Sequence, residues 1–307
     1  MKLRSIFKGA ALAAFALLGS ATLAQQRLPT QQPIVAVPAP DQAKPALWKL
    51  ADKDTTIYLF GTIHILPKGV DWFHGPVAYA FNHSDLLVTE LPDVPQSEFV
   101  GSLARYGVLP AGQSLRDKLS EDRRGRYEGA MAGLDLPVES FDRSRPWVPA
   151  MLMPLLAVQK FGFEPGHGVE ATLDAHAKEK TIPRIGLETL DFQFGLFSTQ
   201  SEAEQIEFLD TVVKGIPEMK GLISQMVVKW SAGDAAELAG LLNADEDPAF
   251  AEMMLYSRNR NWAKWIEARM AQPGTVFVAV GAGHLGGGAK SVNDLLTRDG
   301  FRLTRVQ

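Results

Sequence analysis

The sequence predicts an α/β fold, a central sheet flanked by helices with a largely helical insertion in the middle. Three observations carry this prediction. The runs Thr56-Ile57-Tyr58-Leu59-Phe60 and Thr275-Val276-Phe277-Val278-Ala279-Val280 have the length and apolar character of buried strands. Each is followed directly by a GxxH unit, Gly61 to His64 and Gly281 to His284. Between them, two more strand-like segments alternate with long amphipathic helical stretches, the pattern of an α/β rather than an all-helical chain.

The chain opens with a segment that reads as an export signal. Lys2, Arg4 and Lys8 form a basic start, Gly9–Leu18 a short apolar stretch, and Thr22-Leu23-Ala24 a small-residue cleavage site. An uncleaved membrane anchor is the competing reading, but the apolar run is short for a full span. The expected organisation is therefore a signal peptide over 1–24, a Pro-rich linker over 25–46 and one folded domain over 47–307. The expected location is the periplasm or the medium, with no membrane contact after cleavage. Five prolines fall in the linker, at 29, 33, 38, 40 and 45. Losing the three bases of residues 1–24 takes the formal charge from -4 to -7. That acidic balance argues against a nucleic-acid partner. The chain has no cysteine, which excludes disulfides, thiolate metal sites and a cysteine nucleophile.

Leu47–Leu50 reads as a first short strand, joined by the turn Asp52-Lys53-Asp54 to the first GxxH strand, which Gly61 would end. A helix follows over Pro76–His83, with proline at its start. Asp85-Leu86-Leu87-Val88-Thr89-Glu90 is the next strand and ends in an acid. From Ser97 to Lys160 the text is helical, broken at prolines and glycines. It includes one helix over Asp117–Ala132 and an apolar, buried one over Trp147–Phe161. Gly166-His167-Gly168 is a loop. The helix Val169–Lys180 aligns Glu170, Asp174 and Lys178 on one face. Ile182–Thr189 is a third strand region, with the acid Glu188 near its end. Residues 191–243 are helical, with a capping box at Ser201–Glu204 and a break at Ser231–Asp234. Pro248 starts a long helix to about Met270. The last strand and its GxxH follow, then a helix over Ala289–Arg298 and a final strand Phe301–Val306.

His64, Glu90, Glu188 and His284 all stand at the carboxyl ends of predicted strands. If those strands are parallel, the four face one crevice, the ligand side of an open α/β sheet. Two histidines and a carboxylate form a common set for a catalytic divalent metal, and a second carboxylate can move a proton. The bare GxxH pattern is weak, since six His and 27 Gly give about 0.5 chance hits. The shared strand context adds the weight. His74, His83, His167 and His176 lack that context and read as surface or packing residues. Arg258 and Asn259 sit on a Trp- and Met-rich helix. They are either an ordinary exposed pair or a guanidinium and amide that hold a carboxylate, Glu188 or the substrate's. Trp262 and Trp265 read as core. Gly281–Gly286 also fits the GxGxxG dinucleotide fingerprint. However, only 21 residues follow Gly286, and the last strand lacks the ribose-binding acid. No GxSxG or HExxH occurs, so serine-hydrolase and zincin readings have no motif.

The segments LWKL, YLFGTIHILP, SDLLVTELP, IGLETLDFQ, SRNRNWAKWI and VFVAVGAGHLGG, in this order, resemble the TraB/PrgY/GumN family over about residues 47–306. The family is related to the Tiki metalloproteases and, more distantly, to erythromycin esterase and the haem-binding protein ChaN. The resemblance implies a central mixed sheet of that type and a metal-dependent hydrolase site using Mn, Co or Zn. It implies His64, Glu90 and His284 as metal ligands, and Glu90, Glu188, Arg258 and Asn259 as catalytic residues. Ser257 stands where the family carries an acid, and Glu170 where it carries Asp. The expected substrate is a peptide or small molecule. The alternatives are a non-catalytic module for a tetrapyrrole-like ligand and an envelope or polysaccharide accessory protein.

Overall fold

The computed structural model describes residues 43–161, 163, 167–243 and 247–307. The expected signal peptide, Gly166 of the expected loop and the part of the expected linker before Ala43 lie outside the described residues. Within them, packing begins four residues ahead of the first strand. Ala43 and Ala46 are buried, and the Lys44 N–H donates to the Ser231 carbonyl at 2.7 Å.

Six strands form one mixed sheet: β1 (Leu47–Ala51), β2 (Thr55–Thr62), β3 (Leu86–Thr89), β4 (Arg184–Gly186), β5 (Gly274–Gly281) and β6 (Leu303–Arg305). Their order is β4-β3-β5-β2-β1-β6. The pairs β3–β4, β3–β5 and β2–β5 are parallel, whereas β1 runs antiparallel to both β2 and β6. The four strands that precede candidate site residues are therefore mutually parallel, and their carboxyl ends share one edge. β2 runs through Gly61 to Thr62 instead of ending at the glycine, because Gly61 and Thr62 continue the register opposite Val280 and Gly281. β4 covers only Arg184–Gly186 of the expected strand, as suits a sheet edge.

Side-chain alternation divides two cores across the sheet. Tyr58, Phe60, Leu87, Phe277 and Ala279 face the larger one. Ile57, Leu59, Val88, Val276, Val278 and Val280 face the other, which is closed by Trp262, Ile266, Met270, Val292 and Leu296. The result is a three-layer α/β/α arrangement.

Thirteen α-helices are described, two of them single turns: α1 (Gly75–Asn82), α2 (Gln96–Gly107), α3 (Glu121–Gly133), α4 (Trp147–Lys160), α5 (Val169–Lys180), α6 (Leu190–Ser198), α7 (Glu202–Gly215), α8 (Met219–Ser231), α9 (Ala235–Asn243), α10 (Pro248–Ala251), α11 (Ser257–Met270), α12 (Ala282–Leu285) and α13 (Val292–Arg298). The helical insertion between β3 and β4 comprises α2 to α5. α4 is apolar and buries most of its length, as expected. The single helix expected over Asp117–Ala132 is split into a 3-10 turn, Arg116–Lys118, and α3, because Ser120 takes the extended N-cap conformation between them. The capping box at Ser201 and Glu204 forms, with both reciprocal bonds present. The expected Pro248–Met270 helix contains a π-helical turn, Glu252–Tyr256, that ends two residues before Arg258. α13 starts three residues later than Ala289, at a cap supplied by Ser291.

Candidate functional site

The carboxyl edge of β2, β3, β4 and β5 delivers His64, Glu90, Glu188 and His284 to one place, and α11 supplies Arg258 and Asn259 from the side. The two α11 residues are not an exposed pair: both are about 2% exposed.

Arg258 is the hub. Its Nε and Nη2 donate to Glu188 Oε1 and Oε2 at 2.8 and 2.9 Å, a bidentate fork. Nη2 also donates to Glu90 Oε2 at 2.6 Å, and Nη1 to the Met254 carbonyl at 3.0 Å. Nη1 also stands 3.4 Å from His284 Nε2. All five guanidinium hydrogens are thus directed at acceptors. The π turn places the Met254 carbonyl one helical turn before Arg258 and aims it at the guanidinium; such turns recur at functional sites. Two buried carboxylates hold the guanidinium charged.

Glu188 accepts two further bonds, from Trp262 Nε1 at 2.9 Å and from Gln193 Nε2 at 2.8 Å. Four donors on one carboxylate fix its position. Of its two expected partners it takes Arg258, while Arg184 bonds Asp174 instead. Glu90 accepts from the Gly281 N–H at 2.8 Å through its other oxygen. Burial pushes the Glu90 carboxyl up, but Arg258, both histidines and the Gly281 N–H outweigh it and hold the group at about 2.

His284 is buried against the Trp262 ring, with centroids 4.4 Å apart. The tautomer follows from a chain of hydrogen bonds. Asn259 Nδ2 donates to the Lys290 carbonyl at 2.8 Å, which turns Asn259 Oδ1 toward His284 Nδ1 at 2.6 Å. Nδ1 therefore carries the proton, and Nε2 keeps its lone pair. Burial and the adjacent Arg258 push the imidazole down to about 3, so the ring is neutral.

His64 follows the same plan with a different partner. Its Nδ1 lies 2.8 Å from Glu170 Oε1, and both side chains are almost fully buried. Burial pushes His64 down, but the Glu170 carboxylate and its hydrogen bond more than compensate, so its pKa is raised. Glu170 comes from the first turn of α5. That helix docks so closely on the His64 loop that a Cβ on Gly168 would lie 2.1 Å from the His64 carbonyl oxygen. The Val169 N–H donates to the Ile63 carbonyl at 3.2 Å. Helical spacing alone puts Glu170 with Asp174 and Lys178, and of these only Asp174 and Lys178 form the i,i+4 pair. The tight Gly-Val-Glu start of the helix was the available signal for Glu170. Gln193 and the indole N–H of Trp262 had none, because their role depends on where Glu188 comes to lie.

The donor types suit a divalent metal. Each histidine has Nδ1 committed to a buried oxygen acceptor, so Nε2 is the ring atom that a metal would take, although His284 Nε2 here faces Arg258 Nη1, and Glu90 is a carboxylate whose charge acts on both rings. As the side chains lie, no group of three or more His, Asp or Glu among the described residues is spaced to hold a metal ion. Arg258 occupies the space between Glu90 and His284.

The glycines of the GxGxxG match are used in packing. A Cβ on Gly286 would lie 2.3 Å from the Ala235 carbonyl oxygen, and Gly283 sits against Asn243, so α9 packs on the segment that a pyrophosphate would need. His176 stacks on Phe73 and His83 on Tyr79, in keeping with packing roles.

A mixed sheet between two helical layers, with a buried His/Glu/Arg cluster at the carboxyl edge, defines an α/β protein with a polar site built from both ends of the chain. The TraB/PrgY/gumN family model matches residues 46–305, and the chain belongs to that family. No curated protein and no solved structure matches it.

Proposed function

We propose that this chain is an exported, metal-dependent hydrolase, with a peptide as the substrate class to test first. The observation that carries this reading is the matched treatment of the two histidines. Each Nδ1 is tied to a buried oxygen, Glu170 for His64 and Asn259 for His284, which supports Nε2 as the ligand atom of each ring. Mn, Co or Zn held by His64, Glu90 and His284 would supply a water of lowered pKa at neutral pH. Glu188 anchors Arg258, and Arg258 holds Glu90 as a carboxylate. Released from Glu90, the guanidinium would supply a cation for the developing charge of a substrate carbonyl. Residues 1–24 would direct the chain to the periplasm and be removed.

The test is calorimetric titration of the folded protein with Mn, Co and Zn salts, beside His64→Ala and His284→Ala, followed by a peptide-library digest. One metal should bind per chain in the parent and none in either variant, with circular dichroism unchanged, and cleavage should require the same metal. Metal binding indifferent to both substitutions would overturn the assignment.

A further inference from the structure

A second cavity, of about 490 Å³, lies in the helical layer between α4, α6, α7 and α10. It shares no residue with the carboxyl-edge site. The volume is in the range of small-molecule sites, roughly 300–1,000 Å³. Its wall is a run of aromatic rings: Trp147 and Phe197 with centroids 6.1 Å apart, Phe197 and Phe208 at 5.6 Å, and Phe208 and Phe250 at 5.6 Å. The ionisable residues that line it are Glu204, Glu207 and Asp247, all acids. Ser201 holds Glu204 as a carboxylate through two hydrogen bonds, and Asp247 caps α10. Arg123 reaches Glu207 from outside the cavity and is shared with Asp210.

We propose that this cavity is a binding site for a small organic cation with an apolar aromatic body, such as an arylalkylamine. The acids attract a cation, and the aromatic lining favours a cation that carries an aromatic body. The apolar body replaces water on the rings.

The test is calorimetric titration of the full chain with three probes of one shape: naphthylmethylammonium, the neutral naphthylmethanol and the anionic naphthoate. The cation should bind at one site, about tenfold or more tighter than the alcohol, with naphthoate weaker still. Two variants at the mouth locate the site. Ala249→Trp, at an exposed lining residue, should abolish binding with Tm unchanged. Glu207→Lys should weaken the cation and strengthen naphthoate, an exchange of preference that loss of folding cannot imitate. Equal binding of all three probes, no binding of any, or binding that neither variant alters would each overturn the proposal.

Discussion

At the scale of single residues, the site depends on one buried cation. Arg258 compensates two buried carboxylates, so removing it leaves both uncompensated in a low-dielectric interior. Arg258→Ala should cost about 3–5 kcal/mol, the usual penalty for breaking a buried ion pair by deleting one partner. Urea unfolding measures it, and a loss below 1 kcal/mol, the order of an exposed pair, would contradict the burial argument. The paired change Arg258→Met with Glu188→Gln should recover part of the loss, because it removes a charge of each sign. Glu170 offers a more delicate test. Glu170→Gln keeps an oxygen for His64 Nδ1 and so preserves the fold, but it removes the charge behind the imidazole. Metal affinity should fall by about 10- to 100-fold with the folded circular dichroism spectrum retained. An unaltered affinity would mean that Glu170 is only a packing partner.

At the scale of elements, the legible parts were those whose signal is local. β2, β3 and β5 were evident from apolar runs, α5 from its full periodicity and α7 from its capping box. The four strand-end residues were equally evident, because a polar residue directly after a buried strand stands out in the text. What could not be read was set by contacts between distant segments. The π turn before Arg258 leaves no mark in Glu252–Tyr256, since an extra residue in a helical turn is fixed by what the turn must reach. The inward turn of Glu170 depends on α5 lying against the β2 loop. That docking has a direct test. Gly168→Ala puts a methyl into the His64 carbonyl, so α5 must move outward and draw Glu170 away from His64. We expect a loss of about 1–3 kcal/mol, as for overpacking, together with weakened metal binding. Wild-type behaviour in both would show that the contact yields without consequence.

At the scale of the whole molecule, the buried titratable groups set how stability varies with pH. His284 has a folded pKa of about 3 against an ordinary 6.5. Only the unfolded chain takes up this proton as pH falls below 6.5, so stability declines from there toward 3. Glu90, about 2 in the fold against 4.5, adds a second decline below 4.5 that continues to about 2. His64 has the opposite sign: its raised pKa contributes stability that is present below the unfolded value and is lost as pH rises through the folded one. Stability should therefore peak near neutral pH, and urea midpoints between pH 8 and 3 would show it. In His284→Gln the decline between 6.5 and 4.5 should flatten. A decline of the same slope in that variant would assign it to other groups.

The strand order carries one more implication, for the order in which the molecule comes into being. β2 and β3 are separated by about two dozen residues yet never touch; the place between them belongs to β5, which is synthesised some two hundred residues later. Without β5 the sheet would be two halves with a gap, each exposing an unpaired edge. β5 completes the cluster at its carboxyl edge, bringing the Gly281 N–H to Glu90 and His284 to Arg258. The site is thus complete only when the last strand to join the centre of the sheet is in place.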